Sequence, residues 1–208
     1  MTQLTTKRVS LLPSVKGSLL AHKLWWNNNI SNVFILNIIN NGYEIPFTAI
    51  PGTSFIKNNK SARDHPEFVS AEIQKLLGSG IINEHKNPPL VVNPLTVAEN
   101  AVGKLRLVLD LLTVNPLVHV PRYKFEDIKA ASEYFTKGCY MVCFDLKSGY
   151  HHIDVNHAYH KYLGFSWSNH YYSYGVLAFG LSTAGYIFSK AGVSKTLEGL
   201  INPHNYIF

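Results

Sequence analysis

The feature that most constrains the fold is an unbroken apolar run, Tyr140–Phe144, that ends on Asp145. A run of this kind is typical of a β-strand that is buried on both faces. Such a strand holds a carboxylate rigidly at its carboxyl end, and the Ser148–Gly149 turn that follows leaves room for a ligand. Asp145 in this position either ligates a cation or caps the helix that follows.

Helix and strand signals surround this run and indicate an α+β fold. A helix is predicted to begin at Pro66–Glu67, because proline suits the first helical position and glutamate the first turn, and to end at Gly78 and Gly80. An extended piece follows from Ile81. The pattern further predicts strands at Leu90–Val92, Leu105–Leu111 and Tyr171–Val176, and helices at Glu126–Lys137 and Thr183–Leu200.

Two polar features lie beside the predicted strands. Strands on either side of Glu99–Gly103 predict a hairpin whose outgoing strand carries Lys104 and Arg106 on one face. Two cations in this position either clamp a triphosphate or are ordinary solvated charges. Phe179–Gly180 stands in a tight connection, where Gly180 permits either a close approach to a ligand or simply a turn.

Charge and length narrow the function classes. The 208-residue chain has a net charge of +6, which favours an anionic partner such as nucleic acid. The apolar stretch Val33–Ile39 is too short to span a bilayer, and the residues after Met1 do not resemble a signal peptide. We therefore expect an intracellular protein, in the cytoplasm or nucleus, without a membrane partner.

Cysteines and histidines give little indication of a metal site. Cys139 and Cys143 are the only cysteines, so they are expected to be reduced core thiols rather than a disulfide or zinc set. Four histidines follow Asp145, but only Asp154 stands near them as an acidic partner. These histidines are expected on the surface or facing nucleic acid: His151, His152, His157 and His160.

Several motifs occur together in the order found in retroelement reverse transcriptases. Three segments are similar to the fingers of that family: Val92–Val97, Gly103–Asp110 and Val114–Asn115. A fourth segment, Glu72–Leu77, is similar to the entry helix of those fingers. Phe144–Ile153 is similar to the first palm motif of the family. The next palm motif and the region that leads into it are similar to Val176–Ala184 and Tyr162–Phe165. The chain is similar to this family over roughly residues 17–195. Asn40–Phe47 is similar to the lead-in of the tyrosine-recombinase (DIRS-like) group more than to the gypsy-like group.

This resemblance implies a right-hand polymerase fold, with fingers and a partial palm. Residues 1–55 would be an N-terminal lead-in, residues 56–138 the fingers and residues 139–208 a truncated palm. The implied activity is template-directed DNA synthesis by two-Mg²⁺ nucleotidyl transfer. The implied partners are an RNA or DNA template with its primer, and deoxynucleoside triphosphates.

The resemblance also implies roles for individual residues. Asp145, helped by the backbone carbonyl of Leu146, would ligate Mg²⁺. Lys104 and Arg106 would contact the incoming triphosphate. Tyr150 would lie under the sugar and exclude a 2′-hydroxyl, while Phe179 and Gly180 would shape the nucleotide and template pocket.

The sequence departs from the family in ways that bear on activity. It contains no Asp-Asp pair, and its last aspartate is Asp154, so the second set of palm carboxylates is absent. Leu112 stands where the family usually has arginine, and Ala178 where it usually has proline. We therefore expect a chain cut off before the Tyr/Phe-x-Asp-Asp motif, without the rest of its polyprotein, and inactive as it stands. The alternatives are a non-catalytic nucleic-acid-binding module and a functionless pseudogene product.

Overall fold

A five-stranded mixed sheet and a separate two-stranded hairpin form the β structure. The computed structural model describes residues 15–123, 132, 137–138, 140 and 148–190. In these ranges the strands are β1 Ser54–Phe55, β2 Ile82–His85, β3 Val91–Asn93, β4 Leu95–Glu99, β5 Leu105–Leu109, β6 Gly164–Trp167 and β7 His170–Tyr174. The predicted helix at Glu126–Lys137 and the apolar run Tyr140–Phe144 lie largely outside the described residues.

Short helices precede, connect and follow these strands. The α-helices are α1 Ser18–Ala21, α2 Lys23–Asn29, α3 Val33–Asn41, α4 Lys60–Arg63, α5 Pro66–Gly78 and α6 Ala184–Lys190. Single 3₁₀ segments occur at Asn115–Leu117, Gly149–His152 and His157–Tyr162. None of the described helices has the length and apolar character needed to cross a membrane.

Helix α5 confirms the prediction made from its first and last residues. It begins at Pro66, carries Glu67 in its first turn and ends at Gly78. Val69 and Ile73, one turn apart, are buried against the sheet side of the core. Gly80 then takes a positive φ of 66°, which lets the chain turn at once into β2.

The sheet has the order β1-β3-β6-β7-β2, in which β1, β3 and β6 are parallel and β7 is antiparallel to its neighbours β6 and β2. The predicted strand at Tyr171–Val176 is confirmed as β7. Its partner β6 reaches it through Ser168 and Asn169, with φ values of 49° and 65°. Two successive positive φ values suit the right-handed twist of a tight hairpin.

The β4–β5 hairpin confirms the predicted tip but corrects one arm. The incoming arm is Leu95–Glu99 rather than Leu90–Val92, and Val91–Asn93 joins the five-stranded sheet instead. Pro94 separates the two strands and has no N–H to donate, so an extended ladder cannot continue through it. Its carbonyl oxygen accepts the N–H of Asp110 and ties the hairpin base together.

Residues upstream of β1 are built into the same core. Ile38, Tyr43 and Ile45 belong to the cluster of buried side chains that also contains the core of the sheet. Tyr43 N donates to the carbonyl oxygen of Asp154, and Tyr43 pairs with Val155 as an isolated β-bridge. Residues 48–60, whose Pro51–Gly52 and Asn58–Asn59 pairs are typical of a linker, contain β1, because Ser54–Phe55 pairs with β3.

Candidate nucleotide-binding site

The β4–β5 hairpin presents Arg106 to solvent on the face that also carries a pocket. Arg106 is exposed and lies opposite Ala98, while Lys104, also exposed, directly precedes β5. The Asn100 side-chain oxygen closes the tip by accepting the N–H groups of Val102 and Lys104, at 3.2 and 2.8 Å. Both predicted cations are thus held on one ordered hairpin.

A pocket of about 570 Å³ lies between this hairpin, the turn that follows it and the chain around Gly180. Its walls come from three separate stretches of sequence. They are lined by Thr96, Ala98, Val108, Leu109, Asp110, Leu111, Leu112, Asn115, Pro116 and Gly180. The pocket is therefore formed only when the hairpin and the predicted Phe179–Gly180 turn meet.

Gly180 is packed against the backbone of β5. Its φ is +115°, and a Cβ there would lie 2.0 Å from the carbonyl oxygen of Leu109. Leu109 N in turn donates to the carbonyl oxygen of Phe179 at 3.2 Å. The close approach predicted for Gly180 is thus to the protein's own backbone, and it fixes one pocket wall.

Asn115 holds the same turn from the other side, a role that the sequence motif did not reveal. Its side-chain N–H donates to the carbonyl oxygen of Gly180 at 2.8 Å, and its side-chain oxygen accepts the N–H of Ser182 at 2.9 Å. The two bonded positions are 65 and 67 residues away in sequence. Asn115 stood in a recognised motif, but no local pattern could name its partners.

The carboxylate of Asp110 is held in the pocket wall by N–H donors. Asn59 donates to Asp110 Oδ2 at 3.0 Å and to Thr96 Oγ1 at 2.6 Å. The backbone N–H of Leu112 donates to Asp110 Oδ1 at 3.2 Å. Both carboxylate oxygens are engaged, so this group positions the hairpin against the Asn59 segment.

Tyr150 and Phe179, far apart in sequence, are brought into contact. Their ring centroids are 4.9 Å apart, and Phe188 packs on Tyr150 at 5.4 Å. Burial, followed by the nearby Tyr123 hydroxyl, raises the pKa of Tyr150. Tyr150 therefore presents a neutral hydroxyl and a ring beside the exposed Phe179.

The predicted Mg²⁺ ligands, Asp145 and Leu146, lie outside the described residues. Within the described part of the chain, no group of three or more histidine, cysteine, aspartate or glutamate side chains is arranged to hold a metal ion. Asp154 is half-buried, accepts the backbone N–H of Gly17 and lies near Lys16. Asp110 and Asp154 each accept hydrogen bonds from within the protein.

Among the predicted histidines, His157 and His160 lie close together with ring centroids 5.1 Å apart. His160 Nε2 donates to the carbonyl oxygen of Val155 at 2.8 Å. Burial lowers the pKa of His160, with the hydrogen bond to Val155 opposing this shift. Burial also lowers the pKa of His151, whose ring lies 5.8 Å from Phe179.

Comparisons with known proteins give a consistent assignment. No family model matches the chain. The chain is 29% identical over 140 residues to the retrovirus-related Pol polyprotein from transposon 412 of Drosophila melanogaster, covering 65% of this chain and 11% of that protein. It is 29% identical over 160 residues to the Pol polyprotein from transposon gypsy of the same organism, covering 71% of this chain and 16% of that one.

Solved structures agree with these sequence relatives. A crystal structure of prototype foamy virus protease–reverse transcriptase matches with a TM-score of 0.60 and 16% identity, over 88% of this chain and 24% of that one. The chain therefore has a reverse-transcriptase-like fold. A foamy viral protease–reverse transcriptase in complex with double-stranded DNA matches this domain with a TM-score of 0.58 and 17% identity, over 97% of this chain and 44% of the other.

The domain corresponds to one region of much longer polyproteins. It spans between 11% and 20% of the length of the curated relatives that it matches. The mixed α and β architecture expected from the sequence is confirmed. The matched fold is that of reverse transcriptases.

Proposed function

We propose that this reverse-transcriptase-like domain supplies the fingers and the first part of the palm of a retrotransposon RNA-directed DNA polymerase. Residues 56–138 form the fingers and residues 139–208 the partial palm, preceded by a lead-in of residues 1–55. The observation that carries the proposal is the pocket in which Gly180 is locked against β5, beside the hairpin that bears Arg106. The source is a gypsy-like or DIRS-like element acting in the cytoplasm or nucleus, and the likeness to the transposon gypsy polyprotein supports the first.

The chemistry of the site suits a nucleotide and a paired strand. Lys104 and Arg106 are exposed cations on one hairpin, and guanidinium and ammonium groups bind phosphate oxygens. Tyr150 and Phe179 are in contact with their ring planes tilted by 39°, which would place an aromatic floor under a sugar and limit the room for a 2′-hydroxyl. Foamy viral protease–reverse transcriptase structures have been solved with double-stranded DNA and with an RNA/DNA hybrid, which supports a primer–template as the partner.

The residues present do not complete a two-Mg²⁺ site. Bound Mg²⁺ would neutralise the triphosphate and activate the primer hydroxyl. Asp145, with the carbonyl of Leu146, supplies one candidate set of oxygen ligands, but the sequence has no Asp-Asp pair to supply the rest. We therefore propose that the 208-residue chain by itself binds a primer–template without extending it.

Two measurements on the purified chain test this function. Binding of a primer–template should weaken as salt is raised, and Arg106→Ala should reduce the slope of that dependence, because one phosphate contact is lost. Primer extension in Mg²⁺ should not exceed that of Asp145→Ala. Salt-independent binding would overturn the proposed function, whereas extension that depends on Asp145 would overturn only the proposed inactivity.

A further inference from the structure

A second pocket lies between helix α5 and the face of the five-stranded sheet that α5 covers. Its volume is about 340 Å³, and its described lining residues differ from those of the pocket beside the β4–β5 hairpin. The helix contributes side chains at the spacing of one helix face, and the strands contribute side chains from β2, β6 and β7. The lining residues are Ser70, Ile73, Gln74, Leu77, Glu84, Trp167, Ser168, His170 and Tyr172.

Strand register places the charged and aromatic lining residues on one face of the sheet. Tyr172 lies opposite Glu84 across β7 and β2. His170 lies opposite Trp167 across β7 and β6. Opposed residues of an antiparallel pair share a face, as do residues two apart on one strand, so all four lie together. The indole N–H of Trp167 donates to Ser70 Oγ at 3.0 Å, which identifies this face as the one beneath α5.

The pocket has a buried floor and a polar rim. Ile73 and Tyr172 form the floor and are 1% and 5% exposed. Glu84 and His170 are exposed and form the rim, where Glu84 Oε1 lies 2.6 Å from His170 Nδ1. An ionised carboxylate only accepts, so the imidazole proton in this contact stands on Nδ1 and is donated to Glu84. Glu84 Oε2 takes no part in that bond and can accept from a second donor.

The fixed charge of the pocket is negative. Glu84 is the acidic residue among the described lining residues, and none of them is lysine or arginine. Lys75, next to the lining residue Gln74 in sequence, pairs with Glu72 instead. Burial, followed by the negative charge of Glu84, raises the pKa of Tyr172, so the floor hydroxyl is neutral. A carboxylate at the mouth of an aromatic pocket disfavours phosphate and favours an organic cation.

We propose that this pocket binds the guanidinium group of an arginine side chain presented by a partner protein. A guanidinium is planar, stacks on aromatic faces and donates N–H bonds to carboxylates. Trp167 and Tyr172 supply the rings, and Glu84 supplies the carboxylate. A free amino acid would bring a carboxylate of its own, which the described lining has no lysine or arginine to receive, so the group arrives on a polypeptide. This inference goes beyond the proposed function and does not depend on it.

The test measures binding of N-acetyl-arginine amide to the full 208-residue chain at about pH 8, where histidine is largely neutral. N-acetyl-citrulline amide is the matched ligand, because a neutral urea group replaces its guanidinium. Dissociation constants are obtained from the shift of the Trp167 indole N–H resonance, which is assigned with Trp167→Phe. The arginine amide should bind about tenfold more tightly than the citrulline amide, because only the arginine amide offers Glu84 a charged donor.

Glu84→Gln removes the charge and retains the shape of the side chain. It should abolish the preference for the arginine amide and leave the affinity for the citrulline amide unchanged. The Glu84 side chain is 50% exposed, so the variant should keep its fold, which circular dichroism checks. The matched control is Glu67→Gln, which removes an acid from the first turn of α5 outside the pocket and should keep the preference.

Three results would contradict the inference. The unmodified chain would fail to bind the arginine amide or would bind both amides equally, or the preference would survive in Glu84→Gln. Tighter binding of free arginine than of its N-acetyl amide would overturn the polypeptide source. Primer–template binding by Glu84→Gln should equal that of the unmodified chain, so either site can fail its test while the other stands.

Discussion

The contact between Gly180 and Leu109 makes Gly180→Ala the most informative single substitution. A Cβ at Gly180 would meet the Leu109 carbonyl oxygen at 2.0 Å, and the partner is backbone that cannot rotate away. A φ of +115° adds strain of roughly 1–3 kcal/mol for a residue with a side chain. Forced displacement of β5 adds about 1–3 kcal/mol and weakens the Leu109–Phe179 hydrogen bond. We expect the free energy of unfolding to fall by about 2–6 kcal/mol.

Two other glycines separate the causes of this loss. Gly17 has a φ of +73° but nothing within 4 Å of the added Cβ, so Gly17→Ala should cost only the backbone strain, about 1–2 kcal/mol. Gly52 has neither a positive φ nor a close neighbour, so Gly52→Ala should change stability by less than about 0.5 kcal/mol.

Urea denaturation followed by circular dichroism measures the free energy of unfolding of all three variants. The data are fitted with one common slope of that free energy against urea concentration. If Gly180→Ala costs no more than Gly17→Ala, the close packing of the turn against β5 is refuted. Gly180→Ala should also weaken primer–template binding, because the pocket wall moves with the turn.

Three further predictions follow from the site and its surroundings. Asn115→Ala should lower the free energy of unfolding by about 1–3 kcal/mol, since it leaves two backbone groups of the Gly180 turn without this partner, and amide exchange should rise at Ser182. Asn115→Asp keeps an acceptor for Ser182 and should recover part of that loss. The free energy of unfolding should fall as the pH drops below 6.5. The reason is that burial lowers the pKa of His160 in the folded chain, so the unfolded chain binds a proton first. His160→Gln should flatten that dependence in urea denaturation between pH 5 and pH 7, in about the range where histidine titrates. Arg106→Ala should reduce the salt slope of duplex binding by about 0.9, measured by fluorescence anisotropy, and a slope equal to that of the unmodified chain would exclude a phosphate contact there.

Local signals were sufficient for elements whose stability depends on neighbouring residues. The start of α5 at Pro66 and its end at Gly78 follow from proline geometry and glycine freedom, which act within one turn. The aromatic and β-branched run predicted β7, and the polar tip at Glu99–Gly103 predicted the hairpin. The resemblance supplied the order of motifs, and the matched structures have the fold that it implied.

Local signals failed where the partner is distant in the chain. Leu90–Val92 and Leu95–Glu99 are both extended, and nothing in either stretch states which of them pairs with Leu105–Leu109. Residues 48–60 carry turn signals typical of a linker, yet Ser54–Phe55 adds a strand to the sheet. Strand pairing is chosen by register and burial across the whole sheet, and these are properties of the assembled core.

The sequence by itself determined which cationic and aromatic side chains the chain carries, because charge and aromatic character belong to the residue. Lys104 and Arg106 were singled out by their spacing on the predicted hairpin, and the roles proposed for Tyr150 and Phe179 came from the resemblance. Only the tertiary structure decided that Tyr150 meets Phe179 and that Asn115 clamps the Gly180 turn. Those contacts join residues that are tens of positions apart, and their geometry exists only after the core has packed.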